Sequence, residues 1–415
     1  MTPHSSPQYD VIVVGGGAAG MMAAGRAAER GKRVLLLEKN ASLGKKLAST
    51  GGGRCNITNA EEDRHLLLKH YGDAGKMLHS PFSQFGVAET FTFFESRGLP
   101  LVVEARKRAF PQTQRAGDVV RVLEDYIKKG GVDVRTRCPV KEVVCEGGRI
   151  KHISADRVYT AHSYIFATGG LSHPETGSTG DGFLWLREIG HHVHAPTPTI
   201  VPLRVSDAWV VPLAGKKFSD AKVIFFVNGS RRLSVRGDIL ITHFGLSGPT
   251  ILNVAGQVAD LLEEGDISLQ IDTAPQYDLG ILDKRIAETF EKNKNKVLKN
   301  VLKNVTPPGS AEVLLSLIPD ITPDTPVHSV TKSERRSIAK LLKTVPAHVV
   351  GLMGFDRAVV SDGGVPLSEV DEKTMRSLKT DSLFIIGDLL DIRRPSGGYS
   401  LQMCWTTGFV AGNNA

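Results

Sequence analysis

At 415 residues, 41% hydrophobic and 23% charged, the chain has the composition of a folded protein and the length of two or three domains. Its net charge of +7 favours an anionic partner; a dinucleotide, an acidic substrate and nucleic acid all qualify, and so does a merely basic surface. The four cysteines, Cys55, Cys138, Cys145 and Cys404, form no CxxC pair and offer no zinc-ligand spacing, no apolar run approaches about 18 residues, and the start MTPHSSPQYD has no apolar signal core. These features argue against a metal site, a membrane span and secretion, and the expected location is the cytoplasm.

The chain opens as strand, turn, helix, turn, strand. Val11–Val14 is a continuous β-branched run of the kind buried in a parallel sheet. Gly15-Gly16-Gly17 breaks it, and AAGMMAAGRAAER (18–30) is a strong helix former. Gly31 stands where a helix ends, and Arg33–Leu37 is a second buried strand closed by Glu38. This is a βαβ unit with a right-handed crossover. Residues 55–123 read as mainly helical with polar loops. Val132–Arg137, Val140–Val144 and Arg149–Ser154, around the turn Gly147-Gly148, predict a small antiparallel excursion. Tyr164–Ala167 is a further buried strand, ending at Thr168-Gly169-Gly170.

From about His194 the composition shifts to short, proline-studded runs: PTPTIVPLRV, AKVIFFVNG and DISLQID. These predict an antiparallel sheet or barrel. A Lys- and Asn-rich helical stretch spans Tyr277–Val305, with helices continuing to about Thr344. Ala358–Ser361 and Leu383–Ile386 return to the buried-strand pattern, and MCWTTGFVAG reads as a closing helix with a frayed last turn at Asn413-Asn414-Ala415. The predicted class is α/β: a Rossmann-like nucleotide-binding domain formed by residues 1–193 and 351–415, interrupted by a β-rich module (194–275) and a small helical subdomain (276–350).

Five motifs carry the chemistry. In Gly15-x-Gly17-x-x-Gly20 the first glycine allows the tight turn, the second a close approach to a pyrophosphate, the third close helix packing. Glu38, 18 residues after Gly20, suits the adenosine ribose hydroxyls and would repel a 2′-phosphate. The block Gly44-Lys45-Lys46…Gly51-Gly52-Gly53-Arg54-Cys55-Asn56 can turn backbone amides towards a flat or anionic group, or can be a flexible loop beside solvated lysines. Ala167-Thr168-Gly169-Gly170 and Gly387-Asp388 end buried strands; the aspartate could bond a ribityl hydroxyl of FAD, a group that NAD lacks. Ser396-Gly397-Gly398-Tyr399-Ser400-Leu401-Gln402 leads into the closing helix, whose N-terminal dipole could face the pyrimidine ring of a flavin.

The strings GGGAAGMMAA, GKKLASTGGGRCNITN, HFGLSGPTILN and IIGDLLDIRRPSGGYSLQMCWTTGFVAG together resemble the BaiN/RdsA (YhiN-type) family of bacterial FAD-dependent oxidoreductases over essentially the whole chain. Where family members commonly carry Ala before the tryptophan, this chain has Cys404. The resemblance implies a glutathione-reductase-like FAD domain with β-rich and helical insertions. The candidate FAD contacts are Gly15, Gly17, Ala18, Ala19, Gly20, Glu38, Lys39, Lys46, Gly52, Gly53, Arg54, Cys55, Asn56, Val140, Thr168, Gly169, Gly170, Gly387, Asp388, Gly397, Gly398, Tyr399 and Leu401.

The resemblance also implies reduction of an activated C=C bond, in steroid-like enones or in uracil of ribosomal RNA. A general acid must then protonate the carbon next to the one that receives hydride. Cys55 is the first candidate, from the loop that the resemblance sets beside the flavin; Arg54 could bind a carbonyl, a phosphate or a neighbouring carboxylate. His173 and His243 are further candidates, and each reads more readily as a structural residue. No second glycine fingerprint exists for a nicotinamide cofactor, so the flavin would be reduced by a transiently bound NAD(P)H or by another donor. The basic groups Arg106-Lys107-Arg108, Lys216-Lys217, Arg231-Arg232, Arg335-Arg336, Arg393-Arg394 and the 292–304 stretch favour an RNA substrate, giving dihydrouridine in 23S rRNA, although each read singly is a solvated surface. A small-metabolite reductase or oxidase (enone or amine) and a non-catalytic flavoprotein binding RNA or protein are the alternatives.

Overall fold

The computed structural model describes residues 8–319 and 321–415, so most of the polar N-terminus considered above lies outside it. Two compact units emerge, one from both chain ends (residues up to 198, and 359–415) and one from residues 199–358.

In the first unit, β1 (Tyr9–Val14), α1 (Ala18–Glu29) and β2 (Val34–Leu37) form the opening βαβ motif. Three more strands complete a five-stranded sheet: β3 (Asp133–Arg135), which follows helix α2 (Ala116–Lys129), β4 (Ala161–Phe166) and β5 (Leu383–Ile385). The order is β5-β4-β1-β2-β3, and every pairing is parallel. Val11–Val14 and Val34–Leu37 are buried, as befits strands covered on both faces. The carboxyl ends of β1, β2, β4 and β5 therefore share one edge of the sheet, where open α/β sheets bind ligands.

The closing helix α3 (Tyr399–Asn414) packs on α1 through small residues. A Cβ at Gly408 would stand 2.5 Å from the Ala19 carbonyl oxygen, and one at Gly412 would stand 2.4 Å from that of Ala23. Its last turn is tied down rather than frayed: Asn413 Oδ1 accepts from Arg26 Nη2 at 2.8 Å and from Arg30 Nη1 at 3.1 Å.

Two local expectations need correction. The segment 55–123 holds helices but also a three-stranded antiparallel sheet of Thr58–Asn59, Arg108–Pro111 and Leu101–Glu104. Asp133–Arg135 is the edge strand of the parallel sheet; the antiparallel excursion is instead Glu142–Glu146, Arg149–Ser154 and Val158–Tyr159.

The second unit is built on a closed barrel of six strands: Leu203–Val205, Gly245–Ser247, Ser230–Thr242, Lys217–Val227, Ile267–Asp272 and Val345–Leu352. Phe218, Ala221, Val223, Phe225 and Val227 alternate into its interior. Helices including Leu279–Glu291 and Lys332–Lys343 bury Leu282, Ile286, Ile338 and Leu342 in that same hydrophobic core. Among the described residues no helix is long and apolar enough to cross a membrane.

Candidate functional site

The three fingerprint glycines differ in what surrounds them. Gly15 has φ +104°, accepts no Cβ (Ala167 O would be 2.5 Å away) and donates its N–H to Leu37 O. A Cβ at Gly20 would lie 1.9 Å from Gly15 O, so this residue lets α1 begin against the β1 turn. Gly17, the N-cap of α1, faces open space instead, with Ala18 and Ala19 in the first turn behind it. Its amide and those of the first turn are the unpaired donors that suit a pyrophosphate.

Glu38 is buried at the end of β2. One carboxylate oxygen accepts from Gly16 N–H at 2.7 Å, and the other from the backbone and side-chain nitrogens of Asn40. The 137–140 loop passes beside it, with Cys138 N–H donating to Glu38 O and Val140 partly buried against the core. Lys39 forms an ion pair with Asp181 at 2.7 Å and so serves the start of the helix Asp181–Glu188.

At the end of β4, Gly169 (φ +77°) abuts Ser178, and Gly170 abuts Ser361. Thr168 Oγ1 is buried and has no hydrogen-bond partner, a state that calls for an explanation in a native site. At the end of β5, Gly387 (φ +65°) lies against Ala19 of α1 and Cys404 of α3. Asp388 follows and pairs with Arg394 and, at 3.6 Å, with Lys46. Burial pushes the Cys404 thiol up to about 12, and the nearby Asp388 carboxylate adds to it.

In the Lys45–Gly53 segment the helix gives way at Thr50, and Gly51, Gly52 and Gly53 all take positive φ. No neighbour crowds Gly52 or Gly53, so their backbone is free to face a ligand. Arg54 stacks 4.0 Å over the Phe110 ring and pairs with Glu104 at 2.8 Å. Of its three possible roles, the neighbouring carboxylate is the one found.

Cys55 is fully buried, and burial pushes its thiol up to about 12 against a smaller pull from Thr50. A thiol with no exposed surface cannot pass its proton to a substrate, so the first-choice acid is a core residue. With its amide NH2 facing the Thr58 and Ala109 carbonyls, Asn56 accepts from Gly398 N–H at 2.9 Å. Asn59 donates to Gly397 O.

A buried polar network continues the join. Gln402 accepts from Thr58 and Thr90 and donates to Gly86 O and Thr406, while Trp405 Nε1 donates to Ile57 O. Tyr399 is held by Tyr71, whose hydroxyl donates to its carbonyl at 2.8 Å; Leu401, beside it, is partly buried. The GGGRCN block and the start of α3, far apart in sequence, are thus one rigid corner, a juxtaposition that sequence reading did not identify.

The other candidates are dispersed. His173 (φ +53°) pairs with Glu175 at 2.9 Å. His243 is exposed on the second unit, at a hairpin tip held by Thr242 and Gly245, with its ring 4.8 Å from that of Phe244. His191 is held on both sides: Nδ1 meets Glu369 at 2.7 Å, while Nε2 meets Ser377 Oγ at 2.9 Å. This Ser-His-Glu row resembles a nucleophilic triad, but Ser377 is buried and its oxygen already accepts from the Lys379 and Thr380 amides. Among the described residues no three metal-ligating side chains gather.

The residues at the sheet edge fit FAD. The open face of Gly17, the orphaned Thr168 hydroxyl and the uncrowded Gly52-Gly53 backbone are places where a dinucleotide supplies the missing partner.

Comparison with known proteins agrees. The family described as HI0933-like protein Rossmann domain matches residues 9–414. The chain is 29% identical over 406 residues to the 3-dehydro-bile acid delta(4,6)-reductase of Clostridium scindens, covering 97% of this chain and 98% of that one. It is 26% identical over 405 residues to the ribosomal RNA dihydrouridine synthase of Escherichia coli, covering 97% of each. The 3-ketosteroid delta1-dehydrogenase structure from Sterolibacterium denitrificans superposes with a TM-score of 0.54 at 14% identity, over 98% of both chains. A flavocytochrome c3 fumarate reductase in its open conformation gives 0.53 at 16% identity, over 99% of this chain and 78% of that one. The full-length relatives bear out the resemblance drawn from the motifs, and the structures bear out the Rossmann-like FAD-binding fold.

Proposed function

This chain belongs to the HI0933-like family and is an FAD-dependent oxidoreductase; from that premise we propose that it reduces a C=C bond conjugated to a carbonyl, with uridine in 23S ribosomal RNA as the favoured substrate and dihydrouridine as the product. The observation that carries this reading is that two full-length relatives are named for saturating or acting on such bonds, one in a bile acid and one in RNA. When bound, FAD supplies the hydride, and NAD(P)H, taken up transiently, is the proposed reductant.

The chain's own residues have distinct tasks. The α1 N-terminus and Gly17 would hold the pyrophosphate, and Glu38 would receive the adenosine ribose while its fixed carboxylate would repel a 2′-phosphate. Asp388 receives the ribityl chain. The N-terminus of α3 is fixed by Asn56 and Gln402, and its positive end would favour negative charge on the flavin ring when FAD is bound.

The second reading, a small enone as substrate, draws on the ion pairs. In several basic groups proposed as phosphate contacts, one member already has a carboxylate: Lys107 with Glu61, Lys217 with Asp238, Arg232 with Glu264, Arg335 with Asp283. The test is mass spectrometry of nucleosides after unmodified 23S rRNA is incubated with the FAD-loaded protein and NAD(P)H. Dihydrouridine that depends on both protein and reductant supports the RNA reading. Its absence, with a conjugated steroid dienone consumed under the same conditions, replaces it with the second.

A further inference from the structure

We infer that Arg394 is a positioning residue of the flavin pocket: its buried guanidinium fixes Asp388, and together with Lys46 it leaves that three-residue cluster one net positive charge that favours the reduced cofactor. This rests on FAD binding at the sheet edge and is independent of the substrate.

In the sequence Arg394 is half of a basic pair and reads as a phosphate contact on the surface. In the structure its side chain has no exposed surface at all. Nη2 bonds Asp388 Oδ1, Nη1 donates to Ile392 O at 2.5 Å, and Nε donates to Ser400 Oγ at 3.2 Å. These three acceptors sit in the turn after β5, the chain leading to α3, and the first turn of α3. The planar guanidinium fork therefore fixes the end of β5 relative to the N-terminus of the closing helix.

The cluster also has a charge balance. The second Asp388 oxygen faces Lys46 Nζ at 3.6 Å, and Lys46 in turn bonds Ser172 Oγ. Two cations thus meet one carboxylate, all largely withdrawn from water. A Cβ at Gly387, next to Asp388, would stand 3.1 Å from Ala19 Cβ of α1 and 3.8 Å from Cys404 Sγ of α3, so the cluster lies between the phosphate cradle and the start of α3. Asp388 keeps lone pairs free for a hydroxyl, and Arg394 decides where they point. A two-electron reduced flavin is more negative than the oxidised form, so a net positive neighbourhood of low dielectric binds it more tightly.

The test compares Arg394→Met, Arg394→Lys and Lys46→Met with the unmodified protein, measuring FAD affinity by fluorescence and the two-electron midpoint potential against reference dyes. Arg394→Met is expected to weaken FAD binding tenfold or more and to lower the potential by about 30 mV, the equivalent of a tenfold preference lost for the reduced form. Arg394→Lys keeps the charge but not the fork, so the potential should recover while affinity stays low. Lys46→Met should lower the potential with FAD retained. An Arg394→Met protein with unchanged affinity and potential overturns the inference. If that variant does not fold, an unchanged potential in Lys46→Met overturns the charge claim, and wild-type affinity in Arg394→Lys overturns the positioning claim. Unmodified protein that takes up no FAD would instead defeat the FAD reading on which it rests.

Discussion

Gly17 and Gly20 stand three residues apart in one fingerprint, and the structure requires them to be glycine for different reasons. Adding a methyl at position 20 would drive it into Gly15 O, while at position 17 it would enter open space. Gly20→Ala should therefore cost about 3 kcal/mol in denaturant unfolding of the cofactor-free protein. Gly17→Ala should change that stability by no more than about 1 kcal/mol yet weaken FAD binding by roughly tenfold, because the backbone can no longer approach the phosphates.

Cys55 gives the opposite kind of prediction. Its thiol keeps its proton but is buried out of a substrate's reach, so Cys55→Ala should turn over at the wild-type rate with full FAD occupancy; a rate reduced a hundredfold would restore it as the acid. At this scale the glycine spacing was legible, because local backbone geometry dictates it. The partners of Arg54 and Arg394 were not: Glu104 lies 50 residues from one, and the burial of the other depends on α3 docking.

At the scale of elements, four of the five parallel strands were legible as short apolar runs, while the edge strand Asp133–Arg135 was not, being short, polar and half-exposed. The sheet of Thr58–Asn59, Leu101–Glu104 and Arg108–Pro111 was not, since one strand is two residues long and the hairpin turn carries Arg106 and Lys107 at positive φ, where glycine is usual. Two elements have testable anchors. Gln402→Leu removes a buried amide serving four partners and should cost about 3 kcal/mol or more in unfolding, loosening α3 from the GGGRCN corner.

His191 pins the end of the helix Asp181–Glu188 to the 367–380 segment, and burial lowers its pKa despite the opposing Glu369 carboxylate. Burial would raise Glu369 itself, but Lys379, His191 and the His192 amide hold it low. The unfolded chain thus takes up protons more readily than the folded one at both groups. The stability His191 contributes is present above the ordinary histidine range near pH 6.5 and is lost as pH falls through its lowered value. Thermal unfolding should lose more between pH 7 and pH 5 in the wild type than in His191→Gln; equal losses would remove His191 as the cause.

For the whole molecule, both chain ends build one nucleotide-binding unit and the intervening residues form a barrel with its own core. That interruption was legible from the return of buried strands after residue 358. The substrate was not, because an FAD-binding edge looks alike whatever it reduces, and because charge counted along a sequence ignores the carboxylates that pair with it in space. If RNA is the substrate, binding must still fall steeply between about 50 and 200 mM salt, as phosphate contacts require; salt-independent binding would point to a small molecule.

The most direct test of the central claim, an FAD enzyme that reduces a conjugated C=C bond, is anaerobic stopped-flow reoxidation of the pre-reduced protein. Unmodified 23S rRNA, or failing that a conjugated dienone, should restore the oxidised flavin absorbance in step with formation of the saturated product. Flavin that stays bleached with both substrates, although air reoxidises it at once, would contradict it.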